Sequence, residues 1–432
     1  MDRRGFLVRT GLLLGASAIA AGTTKVIVES SQNELQNWEG VRNQFILDQD
    51  HIHMSGFLLA PHPQPVREAI EMHRRGLDEN PVDYLHGNQG RLEANVLQAA
   101  ASYLGANPTD IALTDSTTMG LGLLYGGLQL NENQEILTTT HDHYATEISL
   151  RHRAERTGTS IRRISLYQNI QSVTIDEIVN TLINNIRSET RIMAVTWVHS
   201  STGLKLPIRQ MADALAEINA SRDEADHVLL SVDGVHGLGV EDVTMTDLGC
   251  DFFTAGCHKW MFGPRGTGLV WGKPEAWSIA QPTIPTFDGD AYRMWMRVIP
   301  TRPIRPAVQM TPGGFHSFEH RWALDAAFDM HQSIGKTNIA NRIHSLNFQL
   351  KEALSQMDHV KLYTPVDESL SSGIVCFDVN GRHATQVVAQ LDQQKIIATI
   401  TPYANLYARL SPSLLTAPEE VETTIQAVAS LA

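Results

Sequence analysis

Residues 252–272 read FFTAGCHKWMFGPRGTGLVWG and contain a single lysine, Lys259, among apolar residues and glycines. A lysine side chain normally keeps its ammonium group in water. Enclosing that charge beside a strand-like run such as FFTAG is costly unless the amine has a use. The stretch therefore predicts that the amine of Lys259 takes part in chemistry rather than in solvation.

The composition is that of an ordinary globular protein. The 432 residues are 42% hydrophobic, which is enough for two domains around a substantial core. The formal net charge is -13, and lysine and arginine are not gathered into runs, so we expect no nucleic-acid surface. Cys250, Cys257 and Cys376 are too few and too irregularly spaced for a disulfide framework or a cysteine-rich zinc site. We expect three free thiols.

The first 25 residues are predicted to be a targeting signal rather than part of the folded domain. MDRRGFLVRTGLLLGASAIAAG carries the pair Arg3 and Arg4, followed by a short apolar run that ends in small residues. This pattern resembles a twin-arginine export signal, and the apolar run is too short to span a bilayer comfortably. We expect a protein that meets the twin-arginine export machinery and acts in the periplasm. Cleavage after Ala20 and retention as an uncleaved anchor both stay open.

Strand-like and helix-like segments alternate through most of the chain. IALTD (111–115), RIMAVTWVH (191–199) and VLLSVDG (228–234) are apolar runs typical of buried strands. LPIRQMADALAEINA (206–220) has the spacing of an amphipathic helix between two of them. Alternation of this kind predicts an α/β fold with a mainly parallel sheet covered by helices on both faces.

The order of the segments also predicts how the chain is divided. Residues 26–60 are expected to form a linker or arm, and residues 61–310 a large domain. The proline-rich stretch TRPIRPAVQMTPGG (301–314) marks a change of pattern. We expect residues 311–432 to form a smaller C-terminal domain.

Three features predict the chemistry when they are taken together. DSTTMGLGLLYGGL (115–128) places hydroxyl residues where a helix would begin, which suits an anion such as phosphate. Asp233 ends an apolar run, and strand ends of parallel sheets face the ligand crevice. Lys259 follows the next apolar run, so it could reach the same crevice. A phosphate site, an acid for a protonated ring nitrogen and a lysine that forms an imine are the requirements of pyridoxal phosphate, PLP.

Five blocks of sequence resemble one known family. They are THDHYATE (140–147), HSSTGLKLP (199–207), SVDGVH (231–236), CDFFTAGCHKWMFGPRGTG (250–268) and YARLSPSLLTAPEEV (407–421). In this order and spacing they are similar to the class V aminotransferases, PLP enzymes of fold type I, and most closely to the isopenicillin N epimerase-like branch. The resemblance implies a large domain with a mainly parallel sheet flanked by helices, a smaller C-terminal α+β domain, and a homodimer.

The resemblance also implies roles for residues around the reacting atoms. Lys259 would bind PLP through an imine and later move the Cα proton. Asp233 would bond the pyridine nitrogen, and His143 would stack on the ring. His236 would make a further cofactor contact. Arg409 would hold the α-carboxylate of a small-molecule amino substrate.

Further residues are implied to hold the ends of the cofactor. Thr117, Thr118 and His258 would meet the phosphate, and Ser200 would lie near the phenolic oxygen, where many members have asparagine. One departure from the family is Gly256, which stands where a serine hydroxyl often meets the phosphate.

The sequence leaves the reaction open. After loss of the Cα proton, transamination, epimerisation and carbon–sulfur elimination are all available, and we rank them in that order. Cysteine desulfurases carry a nucleophilic cysteine on the loop that matches TITPYANLYARL (399–410), and none occurs there. We therefore do not expect a desulfurase.

Three other assignments match parts of the sequence. A PLP-binding scaffold without turnover is one, although scaffolding needs no carboxylate-binding arginine. A nucleotide-dependent oxidoreductase is another, but the glycines at 120, 122 and 126 give GxGxxxG rather than GxGxxG. Two histidine pairs, His51 with His53 and His141 with His143, have no acid or cysteine at ligand spacing, so we expect no metal site.

Overall fold

The computed structural model describes residue 35, residues 37–297 and residues 305–432. The predicted export signal lies outside these residues. In the part of the chain that is described, no helix combines the length and the apolar character needed to cross a membrane.

The strands, numbered along the chain, are short and mostly buried. They are β1 (Ile52–His53), β2 (Ile111–Thr114), β3 (Glu135–Thr139), β4 (Ser160–Ile164), β5 (Thr190–Thr196), β6 (Leu229–Asp233), β7 (Phe252–Gly256), β8 (Gly268–Gly272), β9 (Val360–Leu362), β10 (Val375–Val379), β11 (Ile396–Ile397), β12 (Thr399–Ile400) and β13 (Ala408–Leu410).

The α-helices of the described residues are numbered in the same way. They are α1 (Trp38–Asn43), α2 (Gln64–Glu79), α3 (Pro81–Leu104), α4 (Thr117–Gly127), α5 (Tyr144–Thr157), α6 (Ile175–Asn185), α7 (Ile208–Asn219), α8 (Met245–Leu248), α9 (Gly289–Trp295), α10 (Pro306–Met310), α11 (Phe318–Trp322), α12 (Leu324–Ile334), α13 (Lys336–Ser355), α14 (Ala384–Gln393) and α15 (Pro418–Ala429).

Among the described strands, seven form one large sheet in the order β2-β8-β7-β6-β5-β3-β4. β4, β3, β5, β6 and β7 pair in parallel, whereas β8 runs antiparallel to both of its neighbours, β7 and β2. Two apolar clusters fill the core around this sheet. One contains Leu137, Val195 and Val232, and the other contains Ile136, Ala194 and Val270. Because neighbouring strand residues point to opposite faces, both faces are covered, as the apolar runs predicted. The predicted α/β class is confirmed.

A smaller antiparallel sheet lies towards the end of the chain. Within the described residues it has four strands in the order β12-β13-β10-β9, and α13, α14 and α15 pack against it. β1 comes from the predicted arm and pairs in parallel with β11, so an early segment joins this late part of the fold. α12 contributes Leu324, Ala327 and Phe328 to the core of the large sheet. The division of the chain at residue 310 stays a prediction.

The segment around Lys259 lies where the two sheets meet. Trp260 and Phe262 share an apolar cluster with Phe57 from the N-terminal segment and with Ile374 just before β10. Trp260 and Phe262 are each 1% exposed. The lysine is therefore held on a backbone that is packed from both sides.

Candidate active site

The predicted site residues lie at one edge of the large sheet. Thr117 begins the helix after β2, and His143 caps the helix after β3. Asp233 ends β6, and Lys259 follows β7. β2, β3, β6 and β7 run in the same direction, so their carboxyl ends meet at this edge.

Eight of the nine predicted residues line one cavity of about 180 Å³. They are Thr117, Thr118, His143, Ser200, Asp233, His236, His258 and Lys259. Arg409 does not line this cavity. It is connected to it through the Ser200 carbonyl oxygen, which accepts a hydrogen bond from Nη1 of Arg409 at 2.9 Å.

Asp233 is an enclosed acid that receives one long hydrogen bond from the part of the chain that the structure describes. Its side chain is buried, and Oδ1 accepts a hydrogen bond from the Val235 N–H at 3.2 Å. Burial raises the pKa of Asp233 to about 6, although the Val235 N–H and the charge of Lys259 act in the opposite direction. A cation placed against this carboxylate would relieve the cost of enclosing its charge.

Lys259 lies next to His236, and Trp260 fixes the tautomer of that histidine. The indole N–H of Trp260 donates to Nδ1 of His236 at 3.3 Å, and Nε2 of His236 is 3.2 Å from Nζ of Lys259. An indole can only donate, so the proton of neutral His236 is on Nε2 and faces the lysine. The arrangement favours an uncharged amine as the acceptor.

The electrostatics of this pair agree with its hydrogen bonds. Burial lowers the pKa of Lys259 to about 8, with Asp233 opposing and Arg409 adding to the shift. Burial, with the nearby charge of Lys259, also lowers the pKa of His236 well below its ordinary value. A lysine amine that loses its proton near neutral pH can act as a nucleophile and as a base.

The start of α4 and the loop after β7 form a site for an anion. Ser116 caps the helix, and Oγ1 of Thr117 accepts from the Gly256 N–H at 2.8 Å. Nδ1 of His258 is buried and has no hydrogen-bond partner among the described residues. A Cβ atom at Gly256 would come within 2.8 Å of the His258 ring. The missing side chain at Gly256 therefore leaves room for both the His258 ring and Oγ1 of Thr117.

His143 is held by its neighbour Asp142, which the sequence reasoning missed. The Asp142 carboxylate accepts hydrogen bonds from Thr138, Thr139 and the Thr196 N–H, the last at 2.6 Å. Nδ1 of His143 accepts from the Ala145 N–H at 3.1 Å. Burial and then the charge of Lys259 lower the pKa of His143, so its ring is neutral and suited to stacking on an aromatic cofactor.

Arg409 donates mainly to backbone carbonyl oxygens, and no acid of the described residues pairs with its guanidinium. Besides Ser200, it donates to Oγ1 of Thr399 at 3.0 Å and to the Ile400 carbonyl at 3.4 Å. The guanidinium carbon is 4.5 Å from the centre of the Phe57 ring. The residue is only 3% exposed, so a carboxylate at this point would meet an enclosed cation.

Two further residues were not identified from the sequence. The Tyr403 hydroxyl is 2.8 Å from Oγ of Ser200, and the indole N–H of Trp260 fixes the tautomer of His236. The run YANLY around Tyr403 has no pattern that would place it at a site. The Trp260 contact could have been suspected only from its position next to Lys259.

The donors around the cavity match the groups of PLP. Asp233 suits the pyridine nitrogen, and the neutral His143 ring suits its face. Thr117, the start of α4 and the unpartnered Nδ1 of His258 suit the phosphate. Lys259 suits the aldehyde, because imine formation requires an uncharged amine.

Comparison with known proteins agrees with this geometry. Residues 60–401 match the family model described as aminotransferase class-V. The isopenicillin N epimerase of Streptomyces clavuligerus is 23% identical over 409 residues, covering 91% of this chain and 98% of that protein. A probable cysteine desulfurase of Halalkalibacterium halodurans is 25% identical over 378 residues, covering 84% and 86% of the two chains.

Solved structures share the fold at low identity. A lysine-to-alanine mutant of C-DES, with glycine covalently linked to the PLP cofactor, superposes with a TM-score of 0.79 at 21% identity, covering 90% of this chain and 98% of the other. The apo cysteine desulfurase of Thermococcus onnurineus gives a TM-score of 0.74 at 20% identity, covering 91% and 97%. The chain therefore belongs to the aminotransferase class V family, has its fold type I architecture and binds its cofactor, PLP.

Proposed function

We propose that this chain acts at the α-carbon and amino group of an amino acid or a peptide-like amino compound, in a reaction of the aminotransferase type. The observation that carries the proposal is the contact of the Lys259 amine with Nε2 of His236, 3.2 Å apart beside the buried Asp233. When bound, PLP supplies an acceptor for the electron pair that remains at Cα after loss of a proton.

The residues of the chain divide the remaining work. Arg409 binds the α-carboxylate, which orients the Cα–H bond. Lys259 takes the proton from Cα as an uncharged amine, and His236 holds that amine in place through its Nε2–H. Asp233 keeps its charge against the ring nitrogen. The atom to which Lys259 delivers the proton decides the outcome. Delivery away from Cα leads to transfer of the amino group, whereas return of the proton to Cα leaves the amino group on the substrate.

The absorption spectrum of the purified protein tests this proposal. The wild type is expected to show a visible band of the lysine-linked cofactor that Lys259→Ala lacks. Bleaching of the band by an added amino acid, with recovery on adding an oxo acid, is expected for amino-group transfer. Lys273→Ala is the control, because Lys273 pairs with Asp251 away from the cavity. A wild type that retains no PLP would contradict the assignment of Lys259.

The described cysteines support a reaction other than persulfide formation. Cys250, Cys257 and Cys376 are all buried. Burial raises the pKa of both Cys257 and Cys376 to about 12. A desulfurase needs an accessible thiolate, and these thiols are neither accessible nor acidic. A desulfurase-type reaction is therefore not part of the proposal.

Epimerisation is a second candidate, favoured by one observation. Tyr403 places a second group that can carry a proton beside Ser200 at the cavity, as an inversion at Cα requires. The relatives named isopenicillin N epimerase are in line with this candidate. A PLP-binding scaffold without turnover is less consistent with Arg409. This arginine is enclosed, and among the described residues its hydrogen-bond partners include no carboxylate.

We also propose that the substrate is met outside the cytoplasm. The support is the Arg3 and Arg4 pattern, which lies outside the described residues. A reporter protein fused to residues 1–25 should be exported. The double substitution Arg3→Lys and Arg4→Lys should abolish that export. A reporter that stays in the cytoplasm would count against periplasmic action.

A homodimer is proposed as the working form. The support is an exposed apolar patch on the segments around α9 and α11, in which Trp295 is 79% exposed and Phe315 is 84% exposed. Phe287 lies against Gly313 and stacks edge-on with Tyr292, so the two segments form one surface. Large exposed apolar side chains on neighbouring segments commonly mark an interface. Sedimentation of the wild type and of Trp295→Asp should give dimer and monomer, and a monomeric wild type would contradict the proposal.

A further inference from the structure

The loop between β12 and β13 is built to hold one tyrosine in a fixed place. Thr401 closes the loop: its N–H donates to the Tyr407 carbonyl at 3.0 Å, and its Oγ1 accepts from the Tyr407 N–H at 2.8 Å. The same hydroxyl donates to the Asn405 carbonyl at 3.0 Å. Tyr403 lies within this closed loop and is half-buried.

Tyr403 contacts two residues of the cavity lining. Its hydroxyl is 2.8 Å from Oγ of Ser200, and its ring meets the His143 ring edge-on, with centroids 6.3 Å apart and an interplanar angle of 79°. Burial raises the pKa of Tyr403, while the bond to Ser200 and the charge of Arg409 act in the opposite direction. The group is thus an O–H donor at neutral pH.

Ser200 connects this hydroxyl to the proposed carboxylate site. Its side chain bonds Tyr403, and its carbonyl oxygen accepts from Arg409 at 2.9 Å. In an α-amino acid the carboxylate is bonded directly to Cα. A substrate carboxylate at Arg409 therefore brings Cα next to the residues that share Ser200 with that arginine.

Lys259 is attached to a different part of the site. It follows β7 and contacts His236, which in turn is fixed by Trp260. Tyr403 comes from the smaller sheet and contacts Ser200 and His143 instead. Lys259 lines the cavity and Tyr403 lies behind its lining residues Ser200 and His143, so two groups able to carry a proton come from separate elements with separate partners.

We propose that Tyr403 is a second proton carrier, which delivers a proton to Cα on the side opposite to the one from which Lys259 removes it. Lys259 takes the proton from Cα, and PLP, when bound, would accept the electron pair of the broken C–H bond. The Tyr403 O–H bond then breaks, and its proton forms a new bond to Cα with inverted configuration. Solvent re-protonates the phenolate and removes the proton from Lys259. The proposal rests on the proposed function and adds inversion as a second outcome of the same proton removal.

Glycine in heavy water distinguishes the two carriers, because each α-hydrogen of glycine faces one side. The PLP-loaded wild type is expected to exchange both hydrogens and to convert L-alanine into D-alanine. Tyr403→Phe is expected to exchange one hydrogen at near the wild-type rate, and to lose exchange of the other and alanine inversion by at least about 100-fold. Proton NMR of glycine and chiral separation of alanine give the readouts.

Tyr407→Phe is the matched control on the same loop. Tyr407 stacks on Tyr363, with ring centroids 3.9 Å apart, so loss of its hydroxyl should leave both exchanges intact. An unchanged cofactor band in Tyr403→Phe shows that the variant is folded and loaded. If that band is lost in Tyr403→Phe, Ser200→Ala is tested in place of that variant. Without the Ser200 hydroxyl the Tyr403 hydroxyl is no longer held, so exchange of the second hydrogen should fall relative to exchange of the first.

The outcomes separate the two proposals. If both exchanges fall equally in Tyr403→Phe, or neither falls, the tyrosine is not a second proton carrier. The same holds if the wild type exchanges only one hydrogen and never inverts alanine. No exchange by the wild type with glycine, alanine or the other protein amino acids would instead contradict the proposed action at Cα.

Discussion

Asp233 shows at the scale of one residue how a site can cost stability before its ligand binds. The carboxyl is enclosed, and in the PLP-free protein its pKa lies near 6 because of burial. An unfolded chain ionises the same group near its ordinary value of 3.8. The folded state therefore holds the proton more tightly than the unfolded state, and the free energy of unfolding falls as the pH rises through this interval.

Asp233→Asn is expected to remove that cost. At pH 7.5 the PLP-free variant should be more stable than the PLP-free wild type by about 1–3 kcal/mol, since one pKa unit corresponds to about 1.4 kcal/mol. At pH 4 the difference should disappear, because the folded wild type is then protonated. Thermal unfolding at the two pH values measures this.

Asp358→Asn, at an exposed position, is the control for that comparison. It should leave the unfolding temperature nearly unchanged at both pH values. A PLP-free Asp233→Asn protein that is less stable than the wild type at pH 7.5 would show that the burial cost is already compensated inside the protein.

The sequence predicts a site residue where that residue ends or follows a strand of the parallel sheet. Asp233 and Lys259 each follow an apolar run, and the rule for parallel sheets brings such ends together. The partners that tune them were not predictable, because Trp260 carries an indole N–H whose acceptor is visible only in three dimensions. Tyr403 was missed for the same reason: its loop is positioned by the bonds of Thr401 and by Ser200.

At the scale of elements, the turn after β6 is packed so closely that glycine is required for space. A Cβ atom on Gly237 would lie 2.1 Å from a ring atom of Trp197, and one on Gly234 would lie 1.9 Å from a ring atom of Phe253. Both rings belong to the core of the large sheet. The turn that carries His236 is therefore positioned by contact with the core rather than by its own hydrogen bonds alone.

Gly237→Ala is expected to destabilise the protein by about 1–3 kcal/mol, because the Trp197 ring has to move in a filled core. Gly90→Ala is the matched control: that glycine lies within α3 with no atom within 4 Å of the added methyl group. The control should stabilise the protein by about 0.5–1 kcal/mol, since alanine favours the helix. Urea unfolding of both variants gives the signs, and equal midpoints would refute the steric argument.

Elements with a clear period were predictable, and short ones were not. VLLSVDG contains β6, and RIMAVTWVH contains most of β5, because continuous apolar runs indicate buried strands. β1 has only two residues, Ile52 and His53, within the predicted arm. Its existence depends on pairing with β11, a partner far along the chain that no local pattern announces.

For the whole molecule, Glu241 joins the two sheets through a buried polar cluster. It accepts from Lys205 at 2.9 Å and from Ser372 at 2.6 Å, and it lies 3.1 Å from His344 of α13. The Glu241 side chain is 9% exposed. Although burial alone would raise its pKa, the hydrogen bond from His344 and the charge of Lys205 lower it to about 2.

Glu241→Gln is expected to destabilise the protein by about 3 kcal/mol at pH 7, because Lys205 is left half enclosed without its counter-charge. The wild-type advantage should be complete above pH 4.5 and should decrease as the pH falls from there towards 2, where the folded carboxylate becomes protonated. Urea midpoints measured at pH 7 and pH 3 test this. Glu352→Gln, on the exposed face of α13, should show no such difference.

The pairing of β1 with β11 also determines the order in which parts of the chain can fold during synthesis. Residues 52–54 leave the ribosome early, but Ile52 bonds Lys395, Met54 bonds Ile397, and the Ser411 N–H donates to the Met54 carbonyl. The segment that supports the strand of Arg409 therefore finds its partners only after more than 340 further residues have been synthesised (395 − 54 = 341). A nascent chain can build the large sheet and its lysine first, but the proposed carboxylate site at Arg409 can form only after residues 395–411 have been made.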